Sequence, residues 1–230
     1  MLTVAEEFLL LALDDNNGKR LVDNTRLGAA LAGAALVELT SEGVLRLTGP
    51  DDPGHKPGRL VVTDRRPDDA RLAGLLDVVD GRKPKDAVAK VAGFGSWRDR
   101  SKDFKQALLA DLVDAGYLTE QRGKLLGVFP TTVWKSANPA GEAEIVARVR
   151  AAVAGQRLDD RTAALTSILY AVGLLPKVVP DIDKRTVERR GKEISDSGWG
   201  GPAVRKAVQE IQATTAVVIV SATVAATTTS

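Results

Sequence analysis

The chain contains no cysteine and one histidine in 230 residues. The first absence excludes disulfides, thiolate nucleophiles and cysteine-based zinc sites. The second leaves a Ser-His-Asp triad only His55 to use. That residue stands in a Pro/Gly loop, Pro53-Gly-His-Lys-Pro57, where a solvated side chain is the plain reading. There is no P-loop either. Gly198-Trp-Gly-Gly-Pro202 precedes a helix start but lacks the Lys-Ser/Thr pair and follows no convincing strand. Charge of one sign is not in excess: the net charge is +2, so any anion binding must come from local clustering. No long apolar run is present. Residues 213–229 are uncharged and include Val217-Val-Ile-Val220, but they are short for a membrane span and diluted by Thr and Ser, so a buried terminal helix is expected. Near the start, Glu6 and Glu7 precede the apolar run where a secretory signal would be basic, and cytoplasmic residence is the expectation.

What is present reads as helical. Hydrophobic residues make up 44% and charged residues 27%, the balance of a globular protein rather than a disordered one. Thr3 and Glu6 form a capping box ahead of Phe8-Leu-Leu-Leu-Ala-Leu13. Asp23-Asn24-Thr25 caps a second helix over residues 26–39. Its Gly28, Ala29, Ala32 and Gly33 give up helix propensity but let another helix approach closely. Gly43 ends it, and residues 44–47 and 60–62 read as a strand pair around the Pro/Gly loop. Amphipathic helices follow over residues 68–79 and 84–91, and from Ser96 or Ser101 to residue 115. In the last, Phe104, Leu108 and Leu112 recur every four residues. Further helices are expected over residues 141–154, from Asp159 or Asp160 to Gly173, over residues 183–194, and from Pro202 onward. Four Asp-Asp pairs, at 14–15, 51–52, 68–69 and 159–160, sit in turns or ahead of helices, where capping accounts for them better than a metal or a carboxylate dyad. No repeat, low-complexity linker or boundary is visible. The pattern predicts a mainly α, single-domain helical bundle over residues 1–230, with one or two short β-hairpins.

Two basic segments remain. Arg98, Arg100, Lys102 and Lys105 are interrupted by Asp99 and Asp103. Lys184, Arg185, Arg189, Arg190 and Lys192 are offset by Asp183, Glu188 and Glu193. A solvated helix face with i,i+4 ion pairs explains either one. The first gains weight from its neighbourhood. In a helix that begins near Ser96, Arg98, Lys102 and Lys105 fall at i, i+4 and i+7. A short arm over residues 119–129 follows, whose Leu125, Leu126, Val128 and Phe129 are too apolar for an ordinary exposed arm. One reading is a surface that holds an anionic lipid headgroup while the arm dips into the membrane. A second is a winged helix on DNA. Asp103, Asp111 and Asp114 oppose phosphate contact and the arm is apolar where a wing would be basic, which favours the membrane. A third is an adaptor that binds peptide tails without binding lipid.

An ordered set of segments resembles the Golgi phosphoprotein 3 family along nearly the whole chain. The set is Leu2-Thr-Val-Ala-Glu-Glu-Phe-Leu-Leu-Leu-Ala-Leu13, Gly33-Ala-Ala-Leu-Val-Glu-Leu39, Gly43-Val-Leu-Arg-Leu47, Leu112-Val-Asp-Ala-Gly-Tyr-Leu118 and Asp159-Asp-Arg-Thr-Ala-Ala-Leu-Thr-Ser-Ile-Leu169. The resemblance implies a mainly helical domain with a protruding apolar hairpin, here at residues 119–129. Eukaryotic members are peripheral membrane proteins that bind phosphatidylinositol 4-phosphate and sort glycosyltransferases by their cytoplasmic tails. Their headgroup pocket uses two cationic residues three apart on the helix before the hairpin, where this chain has Lys102 and Lys105. Lysine is a point charge rather than a bidentate fork, which loosens headgroup selectivity. The family's tryptophan and arginine around the second helix are replaced by Asp23 and Ala32, with Arg26 nearby. The many alanines and few aromatics look bacterial. The resemblance therefore implies a non-enzymatic, cytoplasmic, peripherally membrane-associated protein without catalytic residues, metal or cofactor. Lys102, Lys105, Arg98 and Arg26 are its candidate headgroup ligands, and Leu125, Leu126, Val128 and Phe129 its inserting residues. The expected partners are an anionic phospholipid (phosphatidylinositol 4-phosphate or a bacterial equivalent) and cytoplasmic tails of membrane enzymes, not nucleic acid. Each basic residue near an anionic surface adds about 1 kcal/mol, so apolar insertion or homo-oligomerisation has to raise the affinity.

Overall fold

A computed structural model describes residues 1–14, 17–93, 100–125, 129–197, 204–206 and 208–209. The elements run α1 (Val4–Leu11), α2 (Asn24–Ser41), β1 (Leu45–Leu47), β2 (Leu60–Val62), α3 (Ala70–Ala73), α4 (Leu76–Val79), α5 (Pro84–Val91), α6 (Arg100–Asp114), β3 (Leu118–Leu125), β4 (Phe129–Ser136), α7 (Pro139–Val153), α8 (Asp160–Ala171), α9 (Leu175–Val178) and α10 (Lys184–Asp196). The fold is mainly α with two small antiparallel sheets, as the pattern predicts.

An eight-residue helix such as α1 has too few backbone bonds to persist alone in water. Here Thr3 and Glu6 complete the expected capping box, and every residue of the helix is buried. α1 packs against α2, α6, α7 and α8, so it is the axis of the bundle. Tight packing around it depends on the small side chains of α2, where Ala29, Ala30, Ala34 and Ala35 have no exposed surface. One buried apolar cluster runs from Val4 to Val204.

Charge is also built into this core. Glu6 and Glu7 on α1 are buried, and each meets arginine. Arg71 Nη2 donates to Glu6 Oε1 at 3.0 Å, while the same guanidinium pairs with Asp69 and with Asp111 of α6. Arg148 Nη2 of α7 donates to Glu7 Oε1 at 2.7 Å, and Arg161 Nη2 of α8 lies 3.3 Å from the same oxygen. Three helices, α3, α7 and α8, are thus tied to α1 by ion pairs with its buried glutamates, and α6 joins them through Arg71.

Several elements depart from the pattern. The amphipathic stretch over residues 68–79 is two single turns, α3 and α4, because α3 ends on Gly74 and α4 restarts after Leu75. The helix from Asp160 stops before Gly173, whose φ of +76° no longer continues it, and one further turn, α9, follows. The largest difference is the arm. Rather than spanning residues 119–129, it is a hairpin from Leu118 to Ser136, in register from Leu118↔Ser136 to Leu125↔Phe129. Phe129 opens the returning strand instead of closing the arm. Residues 198–203 and 213–229, expected as a loop with a helix start and as a terminal helix, lie outside the described residues. Among the described residues, no helix is long and apolar enough to cross a membrane.

The aspartate pairs behave as caps and turns. Asp14 accepts from Asn17 N–H at 3.0 Å, and Asp52 accepts from Gly49 N–H while pairing with Arg46 at 2.7 Å. Asp69 and Asp159 are the N-caps of α3 and α8. Burial alone would raise the Asp159 carboxyl pKa. Hydrogen bonds from the Thr162 N–H at 2.7 Å and hydroxyl at 3.1 Å more than offset it, and the carboxyl titrates below the usual aspartate range. A depressed carboxyl contributes stability above its unfolded pKa and loses it as pH falls. Asp159→Ala is therefore expected to cost about 1 kcal/mol in urea unfolding at pH 7, with the gap to wild type closing below about pH 4.

Candidate functional site

The C-terminal end of α1, its loop into α2, the first half of α2, one face of α6 and the base of the hairpin enclose a cavity of about 1290 Å³. Its geometry follows from the spacing on α6. Lys102, Lys105, Gln106, Leu109, Ala110 and Val113 recur at three and four residues and open onto the cavity. The opposite stripe, Phe104, Leu108 and Leu112, is buried in the core and fixes the helix rotation. Leu9, Leu13, Leu27 and Leu31 complete an apolar floor.

The loop from α1 to α2 is more ordered than a connector needs to be. Leu13 and Arg20 form an isolated antiparallel bridge. Asp14 N–H donates to Lys19 O at 2.8 Å, and Gly18 N–H to Asp14 O at 2.7 Å. Gly18 sits at φ +62°, and a Cβ there would lie 2.5 Å from the carbonyl oxygen of Trp134 in β4. Only glycine can make this turn and also press on the hairpin. The result presents Lys19 and Arg20, both exposed, on the cavity rim. The hairpin adds Glu120, Arg122, Thr132, Val133 and Trp134. Its base is closed by Ala137 N–H donating to Tyr117 O at 2.8 Å. Lys19, Arg20, Lys102, Lys105 and Arg122 face Asp114 and Glu120 around the rim, a local excess of three positive charges on a chain that is nearly neutral overall. Such a site can hold an anionic group attached to an apolar body. Among the described residues, no three His, Asp or Glu side chains are grouped to hold a metal ion.

Of the residues singled out from sequence, Lys102 and Lys105 come together on this wall. Arg26 does not line the cavity. Its Nε lies 3.3 Å from Asp23 Oδ2, so it belongs to the cap of α2. Asp23 is that cap, accepting from Arg26 N–H at 2.9 Å, and Ala32 is buried in the core. α2 thus gives the cavity Asn24, Leu27, Gly28 and Leu31 but no cation. Arg98, Leu126 and Val128 lie outside the described residues, as do the side chains of Leu125 and Phe129, whose backbones form the outermost pair of the hairpin.

The second basic segment forms a self-paired face on α10. Lys184–Glu188, Arg189–Glu193 and Lys192–Asp196 are i,i+4 ion pairs at 3.6, 2.9 and 2.5 Å, and Arg190 joins Glu193 at 2.6 Å. Lys19, Arg20, Arg122 and Trp134 are among the lining residues that sequence reasoning passes over. They belong to three separate segments, and only the tertiary fold brings them to the lysines of α6.

The mainly α fold and the hairpin directly after α6 agree with what the sequence resemblance implies for the fold. Residues 4–211 match the family described as Golgi phosphoprotein 3 (GPP34), and the chain belongs to that family.

Proposed function

We propose that this protein is a non-enzymatic peripheral membrane adaptor that binds an anionic phospholipid headgroup, phosphatidylinositol 4-phosphate or a bacterial equivalent. Lys102 and Lys105 contact the headgroup phosphate, the hairpin tip around residues 125–129 enters the lipid shallowly, and cytoplasmic tails of membrane enzymes are the cargo. The observation that supports this most is the shared opening of Lys102 and Lys105 into a cationic, apolar-floored cavity at the hairpin base. The lining reaches Arg122, three residues short of Leu125. At about 3.3 Å per strand residue that is about 10 Å. An interfacial element entering by about 5–10 Å would hold the cavity at the level of the headgroups.

The magnitudes require both parts. Five basic residues at about 1 kcal/mol each give about 5 kcal/mol, which alone is near-millimolar binding. Apolar insertion of the tip has to supply the rest. Liposome flotation with and without phosphatidylinositol 4-phosphate tests the assignment. Wild type is expected to float on the anionic vesicles, and Lys102→Glu/Lys105→Glu to lose at least about tenfold in binding. Equal flotation of the two proteins would remove Lys102 and Lys105 from the site.

A further inference from the structure

We propose that Lys19 and Arg20, presented by the Gly18 turn, form a second cationic wall of the cavity and set its preference for a dianionic phosphomonoester over a monoanionic phosphodiester; this rests on the lipid reading above. The two walls differ in composition. The side formed by α6 and the hairpin mixes cations with Asp114 and Glu120, and Glu120 is engaged by Arg122 Nε at 2.7 Å. The loop side lines the cavity with Lys19 and Arg20, and its described carboxylates, Asp14 and Asp23, are not among the lining residues. Among the described residues, no acidic group lies within ion-pair distance of either.

The part of the loop that carries Lys19 and Arg20, residues 17–21, is tied to its surroundings. Its backbone is tied by the Leu13–Arg20 bridge, by Lys19 N–H donating to Asn17 Oδ1 at 2.9 Å and by Leu21 N–H donating to Ala12 O at 2.9 Å. Gly18 is seated against the backbone of Trp134. These bonds hold the backbone of residues 17–21 before any ligand arrives, which lowers the cost of ordering Lys19 and Arg20 on one.

Ligand chemistry decides what such a pair of walls selects. A phosphodiester lipid offers one negative charge to a surface, and Lys102 with Lys105 on one wall suffices for it. A phosphomonoester has its second pKa near 6, so it brings about −1.5 to −2 charges and three acceptor oxygens that radiate in different directions. Cations carried into one concave site by separate elements, α6 and the α1–α2 loop, can meet more of that distribution than the two lysines of α6 alone.

The experiment uses the full chain and vesicles of phosphatidylcholine doped with either phosphatidylinositol 4-phosphate or phosphatidylglycerol at matched charge, with soluble inositol 1,4-bisphosphate as a competitor. Wild type is expected to prefer the monoester vesicles by about tenfold or more. Lys19→Ala/Arg20→Ala is expected to lose that preference, falling on phosphatidylglycerol by the roughly thirtyfold that two general surface charges account for and on the monoester vesicles by about tenfold more, and to melt with wild type because both side chains are exposed. A variant that retains the wild-type preference, while Lys102→Glu/Lys105→Glu loses binding, overturns this inference and leaves the lipid reading standing. A wild type that ignores every vesicle overturns the lipid reading. If it still binds the soluble bisphosphate in a manner dependent on Lys19 and Arg20, the phosphomonoester site stands with a soluble ligand; without such binding, both fall.

Discussion

Arg161→Ala is expected to destabilise the protein by about 3–5 kcal/mol at neutral pH, read as a fall in the urea midpoint. Arg161 sits in the first turn of α8 and reaches back to the start of the chain. Its Nη2 donates to the Leu2 carbonyl and lies 3.3 Å from Glu7 Oε1, and its Nη1 lies 3.6 Å from Glu38 Oε1. The Glu7 and Glu38 side chains are only 4% and 16% exposed. Deleting the guanidinium leaves Glu7 with Arg148 alone and Glu38 with no ion pair among the described residues. Glu7 Oε2, already buried without a hydrogen-bond partner, has nothing to compensate. An unpaired buried charge costs more than the packing lost with the side chain, so the ionic effect dominates.

The pH dependence separates the two effects. Burial raises the Glu38 carboxyl above the usual glutamate range, against the Val4 N–H and Arg161, which lower it. A group whose native state holds its proton more tightly loses native stability as pH rises from the unfolded pKa through the raised folded one. Without Arg161 that folded value moves higher, so the fall is deeper and extends further toward neutrality. The difference between wild type and Arg161→Ala should therefore be small near pH 4 and widen upward. A difference that stays constant with pH would assign the loss to packing instead.

Glu7 also shows how far the sequence alone reaches. Local signals are well preserved in the chain. The Thr3–Glu6 box, the caps at Asp23, Asp159 and Asp183, and the four-residue recurrence of Phe104, Leu108 and Leu112 each depend on neighbours within a turn or two, and each is realised. The same holds for the ion-paired face of α10. Glu7 and Arg161 are far apart in sequence, and nothing local distinguishes a buried pair from two surface charges. The hairpin was half legible for a related reason. Leu125, Leu126, Val128 and Phe129 stand out in the sequence as an apolar cluster, but the returning strand includes Pro130 and two threonines, and its partner register is set by Tyr117 and Ala137 closing the base. The candidate site divides the same way. Lys102 and Lys105 are visible as one helix face, whereas Lys19 and Arg20 look like ordinary turn residues until Gly18 is seen against Trp134.

Gly18→Ala is expected to cost about 2–5 kcal/mol and to abolish headgroup preference although it removes no charge. Two terms add. A left-handed φ of +62° costs a residue with a Cβ about 1–2 kcal/mol. The new methyl would also meet the Trp134 carbonyl oxygen at 2.5 Å and its amide nitrogen at 2.7 Å, and overpacking of this kind costs about 1–3 kcal/mol. Those are backbone atoms in a strand, paired in register with Glu120, so they cannot swing aside as a flexible side chain would. The turn has to lift off the hairpin, taking Lys19 and Arg20 with it. Urea unfolding and flotation on monoester and diester vesicles read the two consequences separately. Lys19→Ala/Arg20→Ala should lose preference at wild-type stability, while Gly18→Ala should lose both. If Gly18→Ala is destabilised yet keeps the wild-type preference, the charges act through the general field of the surface and their position on the rim is immaterial. If it loses preference with both cations intact, the placement of the wall, and not only its charge, selects the headgroup.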